Sequence, residues 1–294
     1  MSKFHGVFTA LITPFKDNHV DLKSLESLLK SQLDQKVSGF VVHGTTGEST
    51  SLTVAEKQKV FEFVQSYVSG QVPLIVGTGT NNTVESIENT KKAKSWGADA
   101  ALVVVPYYNK PPQRGLFQHF SQIAQRSDFN IFIYNVPGRT ITSISADTVG
   151  ELSQFEQIIG IKEATGNIEL LKEMKSKTPK KFIYLSGDDG TYLDFLENGG
   201  HGVISVSSHI MLKEMVEWTK LNQRKELDKA KTQFVNYKKL IDLLFVESNP
   251  IPVKKALQKM GIIDSAELRL PLVEMDAKLV EPLLNEMKIS GVLK

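Results

Sequence analysis

Eight short apolar runs, rich in β-branched and aromatic residues, recur along the first three quarters of the chain. They are Val7–Ile12, Gly39–His43, Leu74–Gly77, Ala101–Val105, Ile131–Tyr134, Ile158–Lys162, Phe182–Leu185 and Val203–Val206. None alternates apolar with polar residues, which is typical of strands buried on both faces in a parallel sheet. Consecutive runs begin about 20 to 35 residues apart, the length of a strand–helix–strand unit.

The segments between these runs have the apolar spacing of amphipathic helices. Thr53 and Glu56 form the pattern of a capping box that opens such a helix. One face of the segment 21–36 carries Leu22, Leu25, Leu28, Leu29 and Leu33. Eight strands alternating with helices predict an α/β fold, a closed (β/α)8 TIM barrel, with an open doubly wound sheet as the alternative. No GxGxxG follows the first run, which disfavours a dinucleotide-binding fold.

The strand signal ends at about residue 225. The segments 226–246, 253–260 and 273–287 have helical patterns, with Asn249-Pro250 ending the first and Pro282 expected to kink or restart the last. We therefore predict a catalytic barrel over residues 1–225 and a C-terminal helical domain over residues 226–294.

Composition limits the function classes. The chain has 294 residues, 41% hydrophobic and 23% charged, so a globular core is expected. The net charge is +2 with scattered Lys and Arg, which does not indicate binding to nucleic acid or a membrane. There is no Cys, and the six His never show a zinc-binding spacing, so no metal site is expected. The N-terminus lacks a signal-peptide pattern and no apolar run reaches membrane-span length, so the cytoplasm is the expected location.

Polar residues follow several of the runs, at the end of the barrel where such enzymes carry their active sites. Lys162 closes a run that is otherwise Ile-Ile-Gly-Ile. A neutral amine shielded by the barrel can attack a carbonyl carbon, and the resulting Schiff base makes the adjacent carbon acidic. A solvated lysine that happens to end a strand is the alternative.

Two other strand ends carry groups suited to the same chemistry. Tyr134 can donate and accept a proton, and Arg139, after a Pro-Gly turn, can hold a carboxylate through two hydrogen bonds. Thr45 and Thr46, between two glycines, offer hydroxyl and backbone donors to a carboxylate. Each residue taken singly also fits ordinary packing or an ordinary turn, but their grouping at one end of the barrel favours a shared site.

Three motifs carry these residues: Gly44–Glu48 (GTTGE), Tyr134–Thr140 (YNVPGRT) and Gly160–Gly166 (GIKEATG). Together they resemble the dihydrodipicolinate synthase family, part of the pyruvate-dependent Schiff-base aldolases that also include N-acetylneuraminate lyase. The Lys and Tyr motifs are those of the aldolases as a whole, whereas Arg139 and the double Thr point to the synthase branch. The likeness covers essentially the whole chain, including the helical tail.

The resemblance implies a lyase that condenses pyruvate with L-aspartate 4-semialdehyde in the diaminopimelate route to L-lysine. Lys162 would form the imine, and Tyr134 would exchange protons beside it. Thr45 and Tyr108 would complete a proton relay, with Tyr108 reaching in from a neighbouring subunit. The family needs no metal or organic cofactor. It is usually a homotetramer, although a dimer is also compatible with a Tyr108 that crosses an interface.

The resemblance also implies the residues that bind the substrates. Thr46 would hold the pyruvate carboxylate, and Gly187 and Ile204 would line the pyruvate pocket. Arg139 would engage the carboxylate of the semialdehyde.

Many members of the family are inhibited by L-lysine at an interface site. The matching positions here include Ser49, Thr50, Asn81, Glu85 and Tyr107, of which Asn81, Glu85 and Tyr107 fit the pattern of inhibited members.

Two further positions of that site, Val54 and Lys57, depart from the pattern of inhibited members, which tend to carry His there. Lys57 would also place a positive charge near a cationic ligand. Weak or absent inhibition by L-lysine is therefore expected.

Two other functions remain open at this point. An N-acetylneuraminate lyase or a 2-keto-3-deoxy sugar acid aldolase would keep Lys162 and Tyr134 without needing Arg139. A non-catalytic barrel that binds a 2-oxo acid would need neither the amine nor the phenol.

Overall fold

The computed structural model describes residues 3–293, and its eight parallel strands close into a barrel. Neighbouring strands follow the order of the chain, and the last strand lies next to the first. Every predicted run forms a strand, so the predicted (β/α)8 TIM barrel is confirmed. The strands are β1 Gly6–Ala10, β2 Gly39–Val42, β3 Leu74–Gly77, β4 Ala100–Val104, β5 Ile131–Asn135, β6 Ile158–Glu163, β7 Ile183–Ser186 and β8 Gly202–Ser205.

Helices alternate with these strands. The predicted capping box is present, because Thr53 Oγ1 accepts a bond from Glu56 N (3.2 Å) and the Glu56 carboxylate accepts one from Thr53 N (2.9 Å). A small antiparallel hairpin, Phe15–Lys16 with His19–Val20, was not predicted. The helices up to the barrel's end are Leu22–Asp34, Val54–Val68, Thr83–Ser95, Gln113–Ser127, Pro137–Thr140, Ala146–Leu152, Ile168–Lys177, Tyr192–Glu197 and Ser208–Gln223, with short 3-10 turns at Thr45–Gly47 and Ser49–Ser51.

The chain groups into two compact units, of which the first holds residues 3–5 and Pro73–Ile204. Its core packs the outward-facing residues of the strands against the helices; on β5 and β6 these include Ile131, Ile133 and Ile161. Because successive residues of a strand point to opposite faces, Tyr134 and Lys162 point away from the helices, into the barrel.

The second unit holds Gly6–Val72 and the residues from 205 onward, including the C-terminal helices that confirm the predicted appendage. These helices are Leu227–Phe234, Lys238–Leu243, Ile251–Lys259 and Ala277–Ile289.

Two details of the C-terminal prediction were wrong. The single helix expected over residues 226–246 is broken after Phe234, next to Asn236, a residue type that disfavours helix interiors. The last helix begins at Ala277 rather than 273, because the Asp276 side chain caps it by accepting a bond from Lys278 N (2.9 Å). That helix then continues through Pro282.

Two kinds of feature are absent from the part of the chain that the structure describes, residues 3–293. No helix there has the length and apolarity needed to cross a membrane. No group of three or more His, Asp or Glu side chains is placed there to hold a metal ion.

Candidate active site

The amine of Lys162 lies against the ring of Tyr134. The two residues are register partners on β6 and β5, and Lys162 Nζ is 4.3 Å from the centroid of the phenol ring. Each side chain is buried, with 7% of its residue surface exposed. The electron-rich face of the ring attracts a cation at this distance, so the ring holds the amine in place.

Gly187 makes room for the lysine side chain. A Cβ at this position would lie 2.8 Å from Lys162 Cε and 2.5 Å from Ala164 Cβ, closer than real carbon atoms approach. The backbone N–H of Gly187 donates to the carbonyl of Glu163 (2.7 Å), which fixes the strand end beside the amine. Ile204, also a candidate for the pocket lining, is buried on β8.

Glu163, the residue after the lysine, is a buried carboxylate with two donors. Its Oε2 accepts a bond from Asn135 Nδ2 (2.8 Å) and its Oε1 accepts one from Thr165 N (2.7 Å). Burial raises the pKa of Glu163, and the hydrogen bonds from Thr165 and Asn135 oppose that rise. Sequence reasoning gave neither Glu163 nor Asn135 a role, because nothing in the spacing shows that they are partners.

Arg139 lies exposed on the short helix Pro137–Thr140, directly after β5. Thr140 Oγ1 donates to the carbonyls of Val136 (3.1 Å) and Thr142 (2.7 Å), which closes the turn on itself. The turn then passes through Ile141, which is exposed and has a left-handed φ of 62°. A β-branched residue is strained in that region, so the surrounding structure must hold the turn in shape.

Thr45 and Thr46 belong to the second unit, in the 3-10 turn that follows β2. Thr45 is exposed. Thr46 is buried, and its Oγ1 accepts a bond from Asn249 Nδ2 (2.8 Å). The C-terminal part of the chain therefore supports this turn directly, a contact that sequence reasoning missed.

A buried ion pair fixes the end of the same turn. The Lys254 amine donates to the Glu48 carboxylate and to the Glu267 carbonyl (2.9 Å). Glu48 also accepts a bond from Arg269 N (3.0 Å), and Lys254 Nζ lies 4.2 Å from the ring centroid of Phe15. Burial lowers the pKa of Lys254 to about 8, while the Glu48 carboxylate opposes that fall. The Glu48 carboxylate beside it therefore favours the charged form of the amine.

Tyr108 has 89% of its surface exposed and a left-handed φ of 74°. It therefore projects from the chain, although the next residue is anchored by a bond from Asn109 Nδ2 to the Asn81 carbonyl (2.9 Å).

The positions that match the lysine site are divided between the two units. Asn81, Glu85 and Tyr107 lie in the first, and Ser49 and Thr50 lie in the second.

Comparison with known proteins identifies the family. The chain matches the model of the dihydrodipicolinate synthetase family over residues 3–289. The chain belongs to the dihydrodipicolinate synthetase family. A 4-hydroxy-tetrahydrodipicolinate synthase of Bdellovibrio bacteriovorus is 55% identical over 293 residues, covering 100% of each chain. The predicted family, the synthase function and the lyase class are thereby confirmed.

Solved members of the dihydrodipicolinate synthetase family show the same fold. The enzyme of Acinetobacter baumannii in complex with pyruvate is 42% identical, with a TM-score of 0.95 over 98% of this chain and 99% of its own. The enzyme of Cyanidioschyzon merolae with lysine bound is 38% identical, with a TM-score of 0.96 over 100% of each chain.

Proposed function

We propose that this protein condenses pyruvate with L-aspartate 4-semialdehyde through a Schiff base on Lys162. The observation that carries the proposal is the buried Lys162 amine held against the Tyr134 ring, 4.3 Å from its centroid. Support comes from the relative in complex with pyruvate and from the 55% identity to a 4-hydroxy-tetrahydrodipicolinate synthase. The reaction belongs to the diaminopimelate route to L-lysine.

The chemistry follows from the amine and the phenol. Lys162 Nζ attacks C2 of pyruvate, and the carbinolamine loses water to give a protonated imine. Tyr134 supplies and removes the protons in these steps, with Thr45 and Tyr108 as the other members of the relay. The imine withdraws electrons, so C3 loses a proton and the enamine attacks the aldehyde carbon. Cyclisation then releases the product and frees the Lys162 amine.

The remaining site residues bind the substrates in this proposal. Thr46 holds the carboxylate of pyruvate, whose methyl and carbonyl groups lie beside Gly187 and Ile204. The exposed guanidinium of Arg139 binds the carboxylate of the semialdehyde through paired hydrogen bonds. Two substrates that each bring one carboxylate explain why a hydroxyl and a cation are both needed.

Trapping the imine tests the central step. The protein is mixed with pyruvate, reduced with borohydride, weighed intact and then mapped by peptide mass spectrometry. We expect one reduced pyruvate adduct per chain, located on Lys162. Folded protein that gains no mass would remove the imine mechanism and favour a barrel that only binds 2-oxo acids.

Replacing Arg139 with alanine separates the synthase from other pyruvate aldolases. Loss of a charged hydrogen-bonding partner should lower kcat/KM for the semialdehyde by ~10- to 100-fold. Pyruvate trapping on Lys162 should stay at the wild-type rate, because the turn is not part of the pyruvate site. Arg126→Ala, an exposed arginine of the same unit, is the control. An Arg139→Ala variant with unchanged semialdehyde kinetics would favour a sugar-acid aldolase.

The assembly is proposed to be a homotetramer, in which Tyr108 of one subunit serves the site of its neighbour. Its 89% exposure in the single chain supports this arrangement, and a dimer would satisfy it equally.

The division into a barrel over 1–225 and a helical domain over 226–294 also stays a proposal, as does the cytoplasmic location.

Inhibition by L-lysine is expected to be weak. Val54 is 56% exposed and Lys57 half-buried, at positions where inhibited relatives tend to carry His. Steady-state rates in millimolar L-lysine should therefore stay close to those without it. Lys57→Ala should increase the inhibition, because it removes a like charge. Strong inhibition of the wild type would contradict this expectation.

A further inference from the structure

We infer that Glu163 and Asn135 are positioning residues, a pair that holds the imine-forming Lys162 and the Arg139 turn in one hydrogen-bonded frame. The inference rests on the proposed function and adds to it two residues that touch neither substrate.

The pair lies one step along the strands from the reacting groups. Tyr134 pairs in register with Lys162, and the next register pair is Asn135 with Glu163. Because neighbouring residues of a strand point to opposite faces, the Glu163 carboxylate points away from the Lys162 amine. Its bond from Asn135 Nδ2 (2.8 Å) ties together the ends of β5 and β6, where the phenol and the amine meet.

The other end of the Asn135 side chain holds the Arg139 turn. Asn135 Oδ1 accepts bonds from Ile144 N (3.2 Å) and Ser143 Oγ (3.3 Å), beyond the far end of that turn. The bonds close the segment that includes both Arg139 and the strained Ile141. Strained backbone persists only where its surroundings fix it. The Asn135 amide is one of the groups that fix this segment.

The donors and acceptors around Glu163 and Asn135 allow each of the two side chains only one orientation. Glu163 accepts from Asn135 Nδ2 and from Thr165 N, so both of its oxygens face donors. Asn135 must donate to Glu163 and accept from Ile144 N, so an amide is needed there. Apart from the half-buried Ser143 Oγ, every partner is a buried side chain or a backbone N–H, and an unpaired buried group carries the full cost of desolvation.

This polarity gives a test by exchange. Glu163→Gln leaves one amide N–H facing another donor, and Asn135→Asp places two carboxylates together. The double variant Asn135→Asp/Glu163→Gln restores every hydrogen bond of the network. Only the bond between the two exchanged side chains reverses its direction. The new glutamine donates to the new aspartate and still accepts from Thr165 N, while the aspartate accepts from Ile144 N and Ser143 Oγ.

The wild type, both single variants and the double variant are compared in the pyruvate–borohydride trapping rate, in KM and kcat for both substrates, and in thermal unfolding. We expect each single variant to lose ~10- to 100-fold in trapping rate and in kcat/KM for the semialdehyde, since misplacement by about 1 Å has effects of this size. The double variant should recover both to within a few-fold of the wild type. Glu169→Gln, an exposed carboxylate of the same unit, should behave as the wild type.

Three outcomes would overturn the inference. Glu163→Gln with wild-type kinetics would show that the pair does not position the site. Single variants that lose only thermal stability would assign the pair a purely structural role. A double variant that stays as slow as the single variants, or does not fold, would show that the restored bonds are not what the site needs. A wild type that traps no pyruvate would instead remove the proposed function, so the two failures are distinguishable.

Discussion

Replacing Lys162 with methionine is expected to abolish pyruvate trapping and to lower kcat/KM for the condensation by at least ~10³-fold. Methionine keeps the length of the side chain and its contact with the Tyr134 ring, but it has no nucleophilic nitrogen. Within residues 3–293 the Lys162 amine makes no ion pair, so its removal leaves no buried carboxylate without a partner. The midpoint of thermal unfolding should therefore stay close to that of the wild type.

The matched control is Lys172→Met, which removes an exposed lysine of the helix that follows β6. It should keep both the trapping reaction and the turnover. Residual pyruvate trapping by Lys162→Met would mean that a second amine forms the imine, and peptide mapping would identify it.

Lys254→Met is expected to lower the stability of the fold and to leave the trapping reaction intact, the reverse of Lys162→Met. This substitution leaves the Glu48 carboxylate buried without its cation, and breaking such a pair destabilises proteins by about 3–5 kcal/mol. Lys254 and Glu48 are both buried, so the carboxylate that is left behind is shielded from solvent. Urea unfolding should show the loss, whereas Lys162 should still trap pyruvate in the fraction of protein that remains folded.

The double variant Lys254→Met/Glu48→Gln provides the internal check. It removes both charges while keeping an oxygen that can accept the bond from Arg269 N, so it should recover a large part of the lost stability. Lys259→Met, on the exposed side of the same helix, is the surface control. A loss below ~1 kcal/mol for Lys254→Met would place this pair among the ion pairs that contribute little.

The strands were predictable because burial on both faces leaves a continuous apolar run. The eight runs match the eight barrel strands within about two residues at each end, the usual uncertainty of element boundaries. The helix over 226–246 was wrong because its apolar spacing continues through the break at residues 235–237. Whether a helix continues across such a point depends on tertiary packing, which periodicity does not report.

The reacting groups were predictable and their supports were not. Lys162, Tyr134 and Arg139 end strands or follow them, so topology alone places them at one end of the barrel. Glu163 and Asn135 are 28 positions apart, and Glu48 and Lys254 are 206 positions apart. Pairing at that distance depends on the folded chain, because a local pattern contains only one of the two partners.

The bond between Lys254 and Glu48 also limits recombination within the family. A chimera that joins the barrel of this chain to the C-terminal helices of a relative would separate a carboxylate from its amine unless the donor has lysine at the same place. Asn249 adds a second such requirement, because it contacts Thr46. A crossover after β8 should therefore yield an active hybrid only if the C-terminal segment also carries Asn249 and Lys254, the partners of Thr46 and Glu48.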